Sequence, residues 1–140
     1  MRQFVLIAVL GSAAAVAMAA QSKVVINVNK TDANNGQQMY TSYCAPCHGV
    51  DGRGDGPKAQ ALTYAPTDLT QLSRNNNGVY PALHVSSVLK FGLENSGAGS
   101  KEMPHWHAVL VEMDNNKGPL DPSALRISNI VRYVETLQAH

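Results

Sequence analysis

The sequence predicts an all-α fold, with several helices joined by long loops. Three observations carry that reading. Ile127, Ile130, Val131, Val134 and Leu137 recur at the spacing that places apolar side chains on one face of a helix. Glycines at 49, 52, 54 and 56 make regular structure unfavourable there, because each adds backbone entropy that ordering must overcome. Between these stretches the chain shows no internal repeat and no convincing hairpin signal.

Taken in order, residues 1–19 have the three parts of a secretory signal: a positive start at Arg2, an apolar run from Phe4 to Leu10, and small residues ending in Ala17-Met18-Ala19. Cleavage is expected after Ala19. The run is short for a membrane span, which needs about 20 apolar residues, so no stable membrane insertion is expected after cleavage. No cysteine follows the small residues to accept a lipid. An exported or periplasmic protein is the expectation.

Residues 20–34 form an expected N-terminal segment containing Lys23–Asn29, a β-branched run readable as a strand or an extended arm. Residues 35–140 are expected to be one domain. Asp32 or Asn35 can cap a helix running through Met39, Tyr40 and Tyr43, which would deliver Cys44 at its last turn. After the glycine loop, Pro57 suits the start of a short helix over Lys58–Leu62. Pro81 opens a helix carrying Val85, Val88 and Leu89 and ending at Gly92. A flexible stretch over Asn95–Ser100 leads to Met103-Pro104 and a short helix over Trp106–Glu112. Asp121 and Pro122 open the last helix.

The chain has 11 basic and 10 acidic residues, and Arg2 is the one charge in the signal, so the remainder balances at ten of each. Such a balance gives no reason to expect nucleic acid or an anionic membrane as a partner. Aromatics are few while glycine and proline are plentiful. A short chain of that kind commonly leans on a disulfide, metal or cofactor.

The two cysteines stand together in Cys44-Ala45-Pro46-Cys47-His48. A redox dithiol of the thioredoxin type places its first cysteine between a strand and a helix, whereas here a helix precedes and a glycine loop follows. A zinc site lacks a second cysteine pair, leaving His84, His105, His107 and His140 as the remaining nitrogen donors. A plain disulfide leaves His48 without a purpose. Covalent haem attachment, whose signature is Cys-x-x-Cys-His, uses all three. Two thiols on one helical turn reach the two vinyl groups on one porphyrin edge, and the histidine then lies under the iron.

The mature region resembles the class I c-type cytochromes of the bacterial monohaem sort. The resemblance is carried by GQQMYTSYCAPCHGVDGRGDGP, APTDL, EMPHW and SALRISNIVRYVETL, of which the first and third are specific. It implies a cytochrome c-like arrangement of helices and long loops wrapped round one covalent haem c, with the first and last helices crossing. Gly36 and Tyr40 would meet the last helix near Ile130 and Tyr133; the plainer reading is that Gly36 only precedes a helix start.

The resemblance also implies the remaining site residues. Met103, followed by proline, is the expected sixth ligand of iron opposite His48, and a thioether there raises the reduction potential. His105 and His107 are its competitors. Met113 is expected to pack in a helix, and His84 and His140 to be surface or satisfied core residues. The Pro66 carbonyl is expected to accept from the ring of His48, with Pro57 the alternative. Trp106 is expected near the haem, its indole directed to a propionate, with a core role as the plainer reading. Asp55 and Asp68 read as solvated or capping loop residues.

With both axial positions filled, the implied chemistry is one-electron transfer with redox protein partners, and not catalysis. Two other functions stay open. One is the cytochrome subunit of a larger exported dehydrogenase or oxidase. The other is a haem sensor or peroxidase, which requires Met103 to be displaceable.

Overall fold

A computed structural model of the chain describes residues 28–93, 102–113 and 122–139. The expected signal peptide, most of the expected N-terminal segment, the 95–100 stretch, Asp121 and His140 lie outside these residues. Val28 and Asn29, the described end of the β-branched run, are irregular, and no strand occurs among the described residues.

The first helical stretch is made of α1 (Gly36–Met39), a π turn (Tyr40–Cys44) and α2 (Ala45–His48). Asn35 is its cap, the side-chain oxygen accepting from the Gln38 N–H at 2.8 Å. Asp32 instead closes a local turn, its carboxylate accepting from the Asn34 N–H at 2.9 Å. The π turn was not foreseen, and it lies immediately before the paired cysteines. Such turns sit frequently at functional sites.

Short 3₁₀ turns follow at Ala59–Ala61, Leu69–Gln71 and Arg74–Asn76. The first replaces the helix expected over residues 58–62. Asp68 caps the second, accepting from the Thr70 N–H at 2.9 Å, in keeping with a capping role. α3 (Ala82–Phe91) ends at Gly92 as expected, with the Gly92 N–H bonded to the Val88 carbonyl at 2.9 Å. α4 (Trp106–Met113) and α5 (Pro122–Thr136) complete the order.

α5 is the hub, packing against α1, α3 and α4. Its apolar stripe is buried at Ile127, Ile130, Val131 and Val134, with Leu137 partly covered. Each such side chain contributes roughly 1.5–3 kcal/mol when taken fully from water. The buried stripe also includes Ser123 and Arg126, which hydrophobic spacing does not reveal. The Arg126 guanidinium donates to the Thr31 carbonyl at 3.0 Å and to its hydroxyl at 3.3 Å, tying the segment before α1 to α5.

α1 and α5 meet at Gly36. A Cβ at that position would stand 2.2 Å from the Asn129 carbonyl oxygen and 3.3 Å from Tyr133 Cβ, so only a hydrogen fits between the two backbones. The close approach therefore exists, centred on Asn129, one residue before Ile130. Tyr40 packs against Tyr133 with ring centroids 5.1 Å apart, and Asn129 donates to the Ala33 carbonyl at 2.9 Å.

Candidate functional site

The site begins where α2 runs out. A helix ends with carbonyls that have no partner within it, and these need donors from elsewhere. Here the glycine loop folds back and provides them: the N–H of Gly54 bonds the His48 carbonyl at 2.7 Å, Gly56 that of Cys47 at 3.1 Å, and Lys58 that of Pro46 at 2.8 Å. Return at this distance excludes side chains. A Cβ on Gly56 would lie 2.5 Å from the carbonyl oxygens of both Ala45 and Pro46. Glycine follows the cysteines here for a steric reason.

Gly54 extends the same wrapping to the next segment. A Cβ there would come 2.4 Å from the Pro66 carbonyl oxygen, and the residue has φ +83°, a region natural to glycine. Residues 66 and 67 are thereby laid beside the helix end. The ring of His48 meets the Thr67 carbonyl, with Nδ1 3.0 Å from the oxygen. This corrects the Pro66 expectation by one residue, and the Pro57 alternative with it: Pro66 presents its own carbonyl to Gly54. A carbonyl can only accept, so Nδ1 carries the hydrogen and Nε2 of the neutral ring carries the lone pair. Burial pulls the His48 pKa below the usual imidazole value and so favours that neutral form, while the Thr67 bond pulls the other way.

Cys44 is buried and Cys47 half-buried, both as thiols. Burial, with Cys47 nearby, pushes the Cys44 thiol up to about 12. Burial also raises Cys47, with Lys58 pulling the other way. A catalytic redox cysteine needs a stabilised thiolate, which this environment opposes. The helix before and loop after the pair also differ from the strand-to-helix setting of a thioredoxin-type site.

Met103 is partly buried against the core. Its neighbour Glu102 reaches the turn at residues 63 and 64. One carboxylate oxygen accepts from the Thr63 N–H at 2.9 Å and its hydroxyl at 3.1 Å, while the other lies 3.1 Å from the Thr63 nitrogen and 3.4 Å from that of Tyr64. Hydrogen bonding, first from the Thr63 backbone, holds this carboxyl below the usual range. The partners are 39 and 38 residues apart in sequence, and no spacing rule links them.

The competing histidines are placed differently. The His105 ring lies over Gly92 at the end of α3, its Nε2 3.2 Å from where a Cβ would stand. His107 is half-buried on α4, and His84 is exposed on α3. Trp106 takes the core role, 3 % exposed and stacked on Tyr43 at 5.8 Å. Met113 packs nearby, its sulfur 3.4 Å from the Tyr43 hydroxyl. Tyr40 was not singled out as a support, yet its hydroxyl donates to the Gly49 carbonyl at 2.7 Å, bracing the first residue after His48.

Residues 31–90 match the family model described as cytochrome c oxidase, cbb3-type, subunit III. This stretch is a monohaem c-type cytochrome domain. It spans Cys44, Cys47, His48 and Thr67, and stops short of Met103. No curated protein and no solved structure matches the chain. A c-type cytochrome domain implies haem-based electron transfer, and its Cys-x-x-Cys pair is consistent with covalent haem c. The donor set fits that group: two thiols within one helical turn, then an imidazole whose outer nitrogen is fixed by a carbonyl, leaving the other as a ligand. Among the described residues, no group of three or more His, Cys, Asp or Glu side chains gathers to hold a metal ion by itself. None of their helices is long and apolar enough to cross a membrane.

Proposed function

We propose that the chain is an exported one-electron carrier with one haem c joined to Cys44 and Cys47, and with His48 and Met103 as its axial ligands. The observation that carries the proposal is the His48 to Thr67 hydrogen bond at the end of the Cys44–Cys47 turn. It presets an imidazole, neutral and oriented, directly after two thiols. Bound there, the haem supplies reversible gain and loss of one electron.

The protein's part is to hold and tune. The Thr67 carbonyl keeps the His48 ring from rotating and raises the basicity of Nε2. The glycine loop fixes the end of α2, so that both thiols and the ring keep their relative positions. Met103, a soft thioether on the 102–105 loop, would hold the iron of a bound haem and favour its ferrous state, leaving no ready place for an external ligand. The core behind the site, with Tyr40, Tyr43, Trp106 and the α5 stripe, limits reorganisation when the charge changes. Residues 1–19 supply the export signal on this reading, and redox proteins are the partners.

One observation favours a second reading. The family model is described as an oxidase subunit, which supports placing the chain as the electron-carrying subunit of a larger exported oxidoreductase. Isolation in a fixed ratio with a catalytic chain distinguishes that role from a freely exchanging monomer.

The test is to express the full chain in cells that attach haem c. A haem stain that survives denaturing electrophoresis is expected, and its loss on replacing both Cys44 and Cys47 by alanine. The ferric spectrum of the wild type should carry the sulfur-to-iron band, which Met103→Ala should remove while carbon monoxide begins to bind the ferrous form. A colourless product overturns the haem assignment. Rapid carbon monoxide binding by the wild type overturns Met103.

A further inference from the structure

Both proposed axial ligands are referred to one short segment. Thr67 gives its carbonyl to His48, and four residues earlier Thr63 and Tyr64 give their N–H groups to Glu102, the residue before Met103. Between them Pro66 fixes its own φ and restricts Ala65, so the segment transmits position instead of absorbing it. Gly54 holds its Pro66 end against the loop that closes α2. The segments that carry the two proposed ligands are thus both tied to residues 63–67.

The contact made by Glu102 is suited to this task. The carboxylate is exposed, and it accepts from two consecutive backbone N–H groups and one hydroxyl, a set of contacts that together limits its distance and its orientation. Met103 follows at once, and Pro104 then limits the backbone freedom of Met103 itself. A ligand on a loop binds only when the loop places it correctly, so the fraction of correctly placed loop scales the apparent strength of the bond.

We infer that Glu102 is a positioning residue, holding the Met103 loop to the Thr63–Tyr64 turn so that the thioether stays directed at the iron. The inference rests on Met103 as the sixth ligand. It concerns the side chain as an acceptor, so glutamine, which keeps one acceptor oxygen, should retain part of the effect and alanine none.

The experiment compares haem-loaded wild type, Glu102→Gln, Glu102→Ala, Thr63→Val and Met103→Ala by the ferric sulfur-to-iron band and by the rate of carbon monoxide binding to the ferrous form. Glu102→Ala should raise the open fraction about tenfold, and the binding rate with it. Glu102→Gln and Thr63→Val should fall between it and wild type. If Glu102→Ala keeps the wild-type band and rate, the inference is overturned, even where its melting temperature falls. If the glutamine variant shifts the rate as far as alanine does, the partial retention expected of a remaining acceptor oxygen is missing, and the inference is likewise overturned. Met103→Ala separates the two layers: should it leave band and rate as in wild type, the ligand assignment itself has failed.

Discussion

Replacing Gly36 by alanine probes the crossing that closes the fold behind the site. The new Cβ would lie 2.2 Å from the Asn129 carbonyl oxygen and 2.8 Å from its carbon, where ordinary contact begins at 3.4 Å. More than an ångström of overlap must be relieved, and the obstacle is main chain, which cannot rotate away. α1 or α5 has to move, and with it the Asn129 to Ala33 and Arg126 to Thr31 hydrogen bonds. Overpacking of this kind costs about 1–3 kcal/mol. Alanine's better helix propensity returns at most about 1 kcal/mol, and less in a first turn. A net loss of about 1–2 kcal/mol corresponds to a melting temperature lower by roughly 4–8 °C in a domain of this size. Thermal unfolding of the haem-loaded protein by circular dichroism measures it. Gly78→Ala is the control: φ there is +82° with nothing within 4 Å, so only the backbone penalty of about 1–2 kcal/mol applies. To separate packing from backbone strain, the Gly36 variant should also disturb the Tyr40–Tyr133 contact in near-ultraviolet dichroism, and the Gly78 variant should not. Gly36→Ala melting at or above wild type would refute the reasoning.

Two further outcomes are expected. Burial, with smaller contributions from neighbouring Cys44 and Tyr133, raises the Tyr40 hydroxyl pKa, and burial with Glu135 raises that of Tyr80. The folded chain therefore keeps protons that the unfolded chain loses above about pH 10; the stability they contribute is intact below that pH and declines as pH climbs toward the folded values, at up to about 1.4 kcal/mol per pH unit for Tyr40. Urea midpoints measured at pH 9 and 11 should fall less steeply for Tyr40→Phe than for wild type; an unchanged slope contradicts the assignment. Asn35→Ala removes the acceptor for the Gln38 N–H and should lower stability by about 1 kcal/mol in denaturant titration, with Asn35→Asp close to wild type. Equal losses in the two variants would place the effect elsewhere.

Side chains that act through their own chemistry were legible. Cys44, Cys47 and His48 stand out because the Cys-x-x-Cys-His pattern sets residue type and spacing together, and the family match covers all three. The α5 stripe and the Gly92 end of α3 were equally readable, since helical periodicity and chain termination leave local marks. The Thr67 carbonyl was not, because every residue has a carbonyl and a one-residue difference leaves no trace in composition. Glu102 drew no assignment, its partners lying 38 and 39 residues away and being mostly backbone. Arg126 and Ser123 were hidden for another reason: spacing rules count apolar residues, while these are buried polar groups whose tolerance depends on Thr31 and other partners beyond the helix. Trp106 follows its plainer reading, the ring being buried and stacked on Tyr43.

The acceptor for His48 belongs to the main chain, and no exchange of one side chain for another deletes it. Drift at position 67 can alter bulk or polarity while the oxygen endures. Inheritance can reach that oxygen only indirectly, through what sets its location. The vulnerable codon is Gly54's, where the smallest addition, a single methyl, would lever Pro66 outward and carry its neighbour away from the imidazole.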